Sequence, residues 1–342
     1  MTGAPSTPGV ADALTQLLGP RVPLRVTAYD GSDAGPREAA VTLEVRSPDA
    51  LRRALTAPGE LGLARAYVAG DLEIHGDLYA ALALRDQISG LALRPAAWAT
   101  LVRMAGGAAA LRRVPEPPPE ESRVHGRRHS RARDAAAISH HYDVSGEFYR
   151  LLLGPSMTYS CAVWRDASVG LEAAQEAKYE LISRKLGLRP GMRLLDVGCG
   201  WGGMVIHAAR HHGVRALGVT LSREQADLAR RRVADAGLSD LVEIRLSDYR
   251  DVHDAPFDAI SSIGMFEHVG TAHLGEYVGR MHRLLLPSGR LLNHGISRPA
   301  GQKGIGRRGF IQRYVFPDGE LQEIGRVISA VQHSGLEVRH VE

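Results

Sequence analysis

Between Arg193 and Gly203 the chain reads Arg-Leu-Leu-Asp-Val-Gly-Cys-Gly-Trp-Gly-Gly. An apolar run ends in one acid, Asp196, and then turns through closely spaced glycines. Glycine permits φ > 0 and lets a backbone approach a ligand closely. In open α/β sheets, ligands bind where the strands end. The spacing is not the G-x-G-x-x-G that seats a dinucleotide pyrophosphate. An acid just ahead of Gly198-Cys-Gly200 instead suits a ligand with an ammonium and a carboxylate, such as the methionine end of S-adenosylmethionine. A tight turn with a purely structural role would use the same residues.

Other strand ends add polar groups. Leu217–Gln225 closes its strand with Thr220, where NAD-binding sheets place Asp or Glu for the ribose. A generic NAD site is therefore disfavoured. Thr220 and Gln225 could supply neutral hydrogen bonds to a ribose or a methionine. Ser222 also reads as a helix N-cap, with Gln225 three residues on completing a capping box. Ser247-Asp-Tyr249 sets an acid and a ring where an adenine could be bonded and stacked. Asp248 could equally cap a turn. Glu267 and His268 follow a later strand and His294 ends the next; each reads either as a reactive group or as a buried structural residue.

Positioning these groups requires a sheet. From about Ala135 onward, short apolar strands (Arg193–Val197, Val214–Val219, Val242–Leu246, Ala259–Ile263, Arg290–His294) alternate with helical patterns near Gly203–His211, Arg223–Ala236 and Ala272–Leu286. Repeated strand–helix–strand units imply an α/β fold with a parallel sheet, helices on both faces and right-handed crossovers. Residues 1–114 mix strand-like runs (Leu24–Tyr29, Ala40–Val45) with helical ones (Asp49–Thr56, Leu78–Ile88). That is a smaller α+β domain whose residues name no chemistry. Between the two lies a linker, 115–134. Pro115–Pro119 and Glu120–Ser122 break regular structure. A basic run follows: Arg123, His125, Arg127, Arg128, His129, Arg131 and Arg133. It reads as a solvated linker or as an attractor of anionic lipid head groups. No aromatic residues interleave with the arginines, which disfavours nucleic acid.

Composition agrees with this division. A length of 342 residues suggests two domains. An apolar fraction of 44% builds ordinary cores, and a net charge of +4 indicates no polyanion partner. Cys161 and Cys199 give neither a disulfide framework nor a Cys-x-x-Cys zinc pair, so no metal is expected and a reducing cytoplasm fits. Met1–Val10 lacks the features of a secretory signal. Leu91–Leu111 is the most apolar stretch, but Arg94, Pro95 and Arg103 interrupt it. A membrane span needs about 18 uncharged residues or more, so it reads as a helix packed on the core.

Taken together, His141-Tyr-Asp-Val-Ser-Gly-Glu-Phe-Tyr149, Met157-Thr-Tyr-Ser-Cys161, Leu195-Asp-Val-Gly-Cys-Gly-Trp-Gly-Gly203, Gly218-Val-Thr-Leu-Ser222 and Gly264-Met-Phe-Glu-His-Val-Gly270 resemble the cyclopropane-fatty-acyl-phospholipid synthases. That family includes the mycolic acid cyclopropane synthases and related fatty-acyl C-methyltransferases. The match runs from about Ile138 to Gly319. A weaker one at Ala69–Gly76 extends into the N-terminal domain, which the phospholipid-acting members also have.

The resemblance implies a Rossmann-like S-adenosylmethionine-dependent methyltransferase sheet. By it, Tyr159, Ser160, Gly198, Gly200, Thr220, Leu221, Gln225, Asp248 and Tyr249 match cofactor-contacting positions. The implied reaction moves the methyl group to a cis double bond of a membrane phospholipid's acyl chain, with bicarbonate as the bound base. Glu267 would hold that anion through a shared proton and His294 would donate to it; backbone groups at Cys161 and Ile296 would complete part of the shell. Cys161 is then a positioning residue and not a nucleophile. Alternatives are a methyl-branched product, a non-catalytic cofactor- or lipid-binding protein, and methylation of a small amine. Peripheral contact with the inner leaflet and a homodimer are further expectations. Family members continue past a Leu336–Val341 strand with a further cage tyrosine, so weak or absent cyclopropanation is expected of residues 1–342.

Overall fold

The computed structural model describes residues 8–19, 22–84, 95–107, 109, 112–142, 145–302, 304, 306 and 309–342, with backbone alone at 95–98. Two compact units divide near Glu121/Ser122, the basic run falling in the second.

In the first unit, β1 (Leu24–Ala28), β2 (Asp33–Ala34), β3 (Val41–Val45) and β4 (Leu72–Gly76) form a sheet of order β2-β1-β3-β4. β1 and β3 run parallel, and the outer pairings are antiparallel. Helices α1 (Val10–Leu18), α2 (Pro48–Thr56), α3 (Glu60–Val68) and α4 (Leu78–Ala83) accompany it. Ser47 caps α2 and Pro48 starts it, where a missing N–H costs nothing. The helical reading of Leu78–Ile88 is met up to Ala83, and residues 85–88 lie outside the described residues. Within Leu91–Leu111, helix α5 (Pro95–Met104) sends Leu101 into the same core as Val26, Val45 and Leu51; 91–94, 108, 110 and 111 lie outside the description. Among the described residues no helix is long and apolar enough to cross a membrane.

The second unit is built on five parallel strands: β5 (Arg193–Val197), β6 (Arg215–Thr220), β7 (Val242–Leu246), β8 (Phe257–Ile263) and β9 (Leu285–His294), in the order β7-β6-β5-β8-β9. After β5 the chain moves outward through β6 and β7, then returns to lay β8 on the other side of β5. The strand order thus reverses between β5 and β8, and such a switch point opens a crevice at the strand ends. Leu194 and Leu195 are each fully buried on opposite faces. Leu194 joins Val205, Ala226 and Ile244, while Leu195 joins Tyr277, Val278 and Met281. A strand covered on both sides must be apolar throughout; each leucine withdrawn from water contributes about 1.5–3 kcal/mol.

The remaining helices are α6 (Arg131–Tyr142), α7 (Gly146–Leu153), α8 (Leu171–Leu186), α9 (Gly203–His212), α10 (Arg223–Asp235), α11 (Phe266–Val269), α12 (Leu274–Leu284) and α13 (Ile324–His333). Short strands β10 (Ser297–Arg298) and β11 (Gln322–Glu323) pair in parallel. Leu336–Val341, expected as a strand, has no strand hydrogen bonding.

The basic run is not simply solvated. Arg133 holds Asp318 with two nitrogens, one at 2.9 Å, and donates to the carbonyls of Val124 and Gly126. Arg128 meets Asp318 and Glu320, and Arg131 meets Asp251 at 2.7 Å. These bonds strap residues 124–134 onto their own unit, while Arg131 remains 59% exposed.

Candidate active site

At the switch point the chain turns from β5 into α9. Gly198 and Gly200 have φ of 76° and 53°, a region costly for residues with a Cβ. A Cβ on Gly200 would meet open space, whereas one on Gly203 would sit 2.2 Å from the Tyr179 hydroxyl. Conformation demands the first glycine and crowding the second. The recess above them spans about 880 Å3 of empty space, its open mouth included.

Tyr159, Ser160, Asp196, Gly198, Gly200, Thr220, Leu221, Gln225 and Tyr249 all line this recess. Asp196 is buried and accepts a 2.6 Å bond from the Ser261 hydroxyl; burial pushes its pKa up to about 6, against Ser261 and Lys178. Ser222 caps α10 by accepting from the Gln225 amide at 3.1 Å, and Thr220 donates to the Gln225 side chain at 2.7 Å. The cap and the polar lining are thus one structure. Tyr249 stands edge-on to Tyr277, ring centroids 5.5 Å apart.

Asp248 is the exception, since its side chain is not part of the lining. It accepts from the Arg250 amide (2.9 Å) and from the Arg250 guanidinium (2.8 and 2.6 Å), capping the turn at Tyr249–Asp251. Burial alone would raise its pKa, but these bonds outweigh it and hold the carboxyl below its usual range. The turn-capping role is therefore the one the geometry displays.

Helix α8 supplies residues the sequence reading missed. Gln175 donates to the Ser160 carbonyl at 3.0 Å and Lys178 donates to the Ser160 hydroxyl at 2.7 Å. Both are buried. Burial drives Lys178 down to about 8, opposed by Cys161 and Asp196. A signal existed: the inward stripe of α8 is Ala174, Gln175, Lys178, Tyr179, Ile182, Ser183 and Leu186, polar residues at core spacing. Tyr142, Trp201 and His268 also line the recess. Tyr142 faces Tyr159 and Trp201 edge-on at 6.3 and 5.9 Å. Burial pushes His268 down to about 4, so it is neutral.

Glu267 follows β8 and lies between two lining residues, Met265 and His268. Its Oε1 accepts the Ile296 N–H at 2.7 Å, while its buried Oε2 has no partner. Burial raises its pKa. His294, paired in register with Ile263, buries an Nδ1 that also lacks a partner; burial first, and Lys178 second, lower its pKa. The Ile296 N–H is thus bonded to Glu267, one of the groups expected beside an anion. Cys161 is exposed and near enough to Lys178 to bias its charge.

A parallel sheet with a strand-end glycine turn, an acid before it and neutral hydrogen-bonding groups after the next strand defines a nucleoside-cofactor methyltransferase. Residues 129–342 match the family model of mycolic acid cyclopropane synthetase. A probable fatty acid methyltransferase of Mycobacterium tuberculosis is 51% identical over 331 residues, spanning 94% of this chain and 77% of that one. The cyclopropane-fatty-acyl-phospholipid synthase of Escherichia coli is 42% identical over 201 residues, 58% of this chain and 50% of its own. The solved structure of the mycolic acid cyclopropane synthase CmaA1 complexed with SAH and CTAB superposes with a TM-score of 0.56 at 36% identity, covering 61% of this chain and 76% of that one. The chain belongs to the mycolic acid cyclopropane synthetase family of S-adenosylmethionine-dependent methyltransferases.

Proposed function

We propose that this protein alkylates the cis double bond of an unsaturated phospholipid acyl chain and closes it to a cyclopropane. The observation that carries this reading is the pair of buried, unpartnered atoms at the strand ends, Glu267 Oε2 and His294 Nδ1. Native structures rarely leave such groups bare, so a polar guest at each is the economical account. Bound S-adenosylmethionine would supply an electrophilic methyl group. The chain's own residues hold the partners. Asp196 faces a cationic amine, the α10 cap offers neutral hydrogen bonds, and α8 fixes Ser160 beside them.

Attack by the alkene forms a carbon–carbon bond, breaks the methyl–sulfur bond and leaves a positive charge on the acyl chain. The rings of Tyr142, Tyr159 and Trp201 line the recess, where aromatic faces favour a cation and few groups could trap it. Ring closure then needs loss of a proton from the new methyl group. Bicarbonate is the base the resemblance suggests. Glu267, its pKa raised, can share a proton with such an anion, and His294 can donate to it; without that proton two neighbouring anions would repel. Glu267→Gln should lower kcat roughly 10²–10³-fold while S-adenosylhomocysteine affinity in calorimetry stays within about twofold.

A second reading keeps every step but the last. The relative aligned over 94% of this chain is named a fatty acid methyltransferase, whereas the phospholipid synthase aligns over 58%, which favours a methyl-branched product. Expression with methyl-labelled methionine in a host lacking its own cyclopropane synthase separates the two: NMR of extracted lipid distinguishes ring protons from a branch. Label absent from the lipid fraction would defeat both.

A further inference from the structure

Behind the cofactor recess, α8 and α9 bring together a set of side chains that the proposed chemistry does not use. Helix α8 carries Glu176 and Glu180, one turn apart, and α9 carries His207, His211 and His212. The Glu180 Oε2 lies 3.0 Å from His212 Nε2 and 3.5 Å from His207 Nε2. The ligating atoms of these three residues all fall within 4.8 Å of one another. His207 is buried and its Nε2 has no hydrogen-bond partner. A surface recess lined by Arg165, Glu176, Glu180, His207 and His211 opens on this cluster, with His212 beside it and not in its wall.

We propose that Glu180, His207 and His212 form a site for a single zinc-type divalent transition metal ion. Two imidazoles and one carboxylate suit zinc, and imidazole discriminates against magnesium and calcium, which prefer all-oxygen shells. A single ion needs its ligand atoms drawn to near 2 Å from it, a contraction that side-chain rotation about a common centre can supply. Glu176 and His211 form a second set around His207 that also closes to within 4.8 Å. The triad with Glu180 is preferred because its contacts are already short. Arg165 at the recess wall opposes a cation, and the carboxylates of Glu176 and Glu180 outnumber it.

The ion would staple α8 to α9 close to the cofactor recess. The His207 ring lies 5.7 Å from that of Tyr179, whose hydroxyl bonds Thr158 at 2.7 Å, and Tyr179 and Thr158 both line the recess. Sequence reasoning saw no metal because no Cys-x-x-Cys pair exists; these ligands come from two helices about 30 positions apart.

The test uses the untagged full chain, stripped with a chelator and titrated with zinc chloride by calorimetry and thermal melting. One zinc per chain is expected, with Tm raised by roughly 5–10 °C at a hundredfold excess over Kd. Magnesium chloride should change nothing. Glu180→Gln and His212→Ala should each weaken zinc roughly tenfold or more, and Glu180→Gln keeps the side-chain volume so that folding is retained. No zinc uptake by the wild type overturns the proposal. So does uptake that both variants leave unchanged, which marks adventitious surface binding. Loss of uptake in His211→Ala but not in His212→Ala overturns the assigned triad.

Discussion

Lys178 and Asp196 form the residue pair on which the cofactor recess is poised. Burial holds Lys178 near 8 and Asp196 near 6. For Lys178, folding disfavours the proton, so its penalty is complete below pH 8 and relieved between about 8 and 10.5. For Asp196, folding disfavours the charge, so its penalty is complete above pH 6 and relieved between about 6 and 4. A cationic amine bound beside Asp196 needs the carboxylate ionised. Affinity for S-adenosylhomocysteine should therefore fall as pH drops below about 6, by up to tenfold per unit, and calorimetry at pH 5, 6 and 7 measures this. Lys178→Met removes the positive charge that helps Asp196 ionise, so the fall should begin at higher pH. An unmoved onset would mean that Lys178 serves packing alone. Asp196 was legible because an acid ahead of Gly-x-Gly stands out. For Asp248 the two readings stayed open because the Arg250 guanidinium that bonds its carboxylate is a partner that spacing does not reveal.

At the scale of elements, β5 ends where its apolar run ends, because a strand buried on both faces leaves no choice of residue, whereas β7, at the sheet's edge, alternates buried and exposed residues. β9 begins five residues before its expected start. Pro287, Ser288 and Gly289 read as a turn, yet an edge strand tolerates proline, and the ladder continues to Leu285 after a register shift opposite Phe257–Ala259. Helix α7 poses a different question. Tyr149 and Leu153 are buried, while Phe148, Leu151 and Leu152 are 48%, 89% and 55% exposed. Tyr149 stacks near Trp201, ring centroids 4.9 Å apart, so this apolar outer face adjoins the aromatic recess. We expect it, rather than the arginine strap, to meet lipid. Leu151→Asp with Leu152→Asp should reduce vesicle sedimentation by roughly tenfold or more, each buried leucine contributing about 1.5–3 kcal/mol. Added salt should change wild-type binding little. Salt-sensitive binding that ignores the double variant would restore the arginines to that role.

Across the whole molecule, the change in strand and helix rhythm set the expected linker at 115–134, and the chain divides at Glu121/Ser122. The fate of the basic run was not legible, since its acidic partners, Asp251, Asp318 and Glu320, lie about 120 to 190 positions away. Asp318 joins two arginines at once, and burial's upward push on its pKa is outweighed by Arg133 and Arg128. Asp318→Ala would take the carboxylate from two partly buried guanidiniums, leaving Arg133 with the Val124 and Gly126 carbonyls and Arg128 with Glu320. A loss of roughly 1.5–3 kcal/mol is expected, read as a lower denaturant midpoint at neutral pH. Gly203 carries a consequence for how such a chain can change over time. Because a methyl group there would collide with the Tyr179 ring, Gly203→Ala should be rejected alone yet rescued by Tyr179→Leu. A selection for folded variants would then recover the two substitutions as linked partners, each conditional on the other.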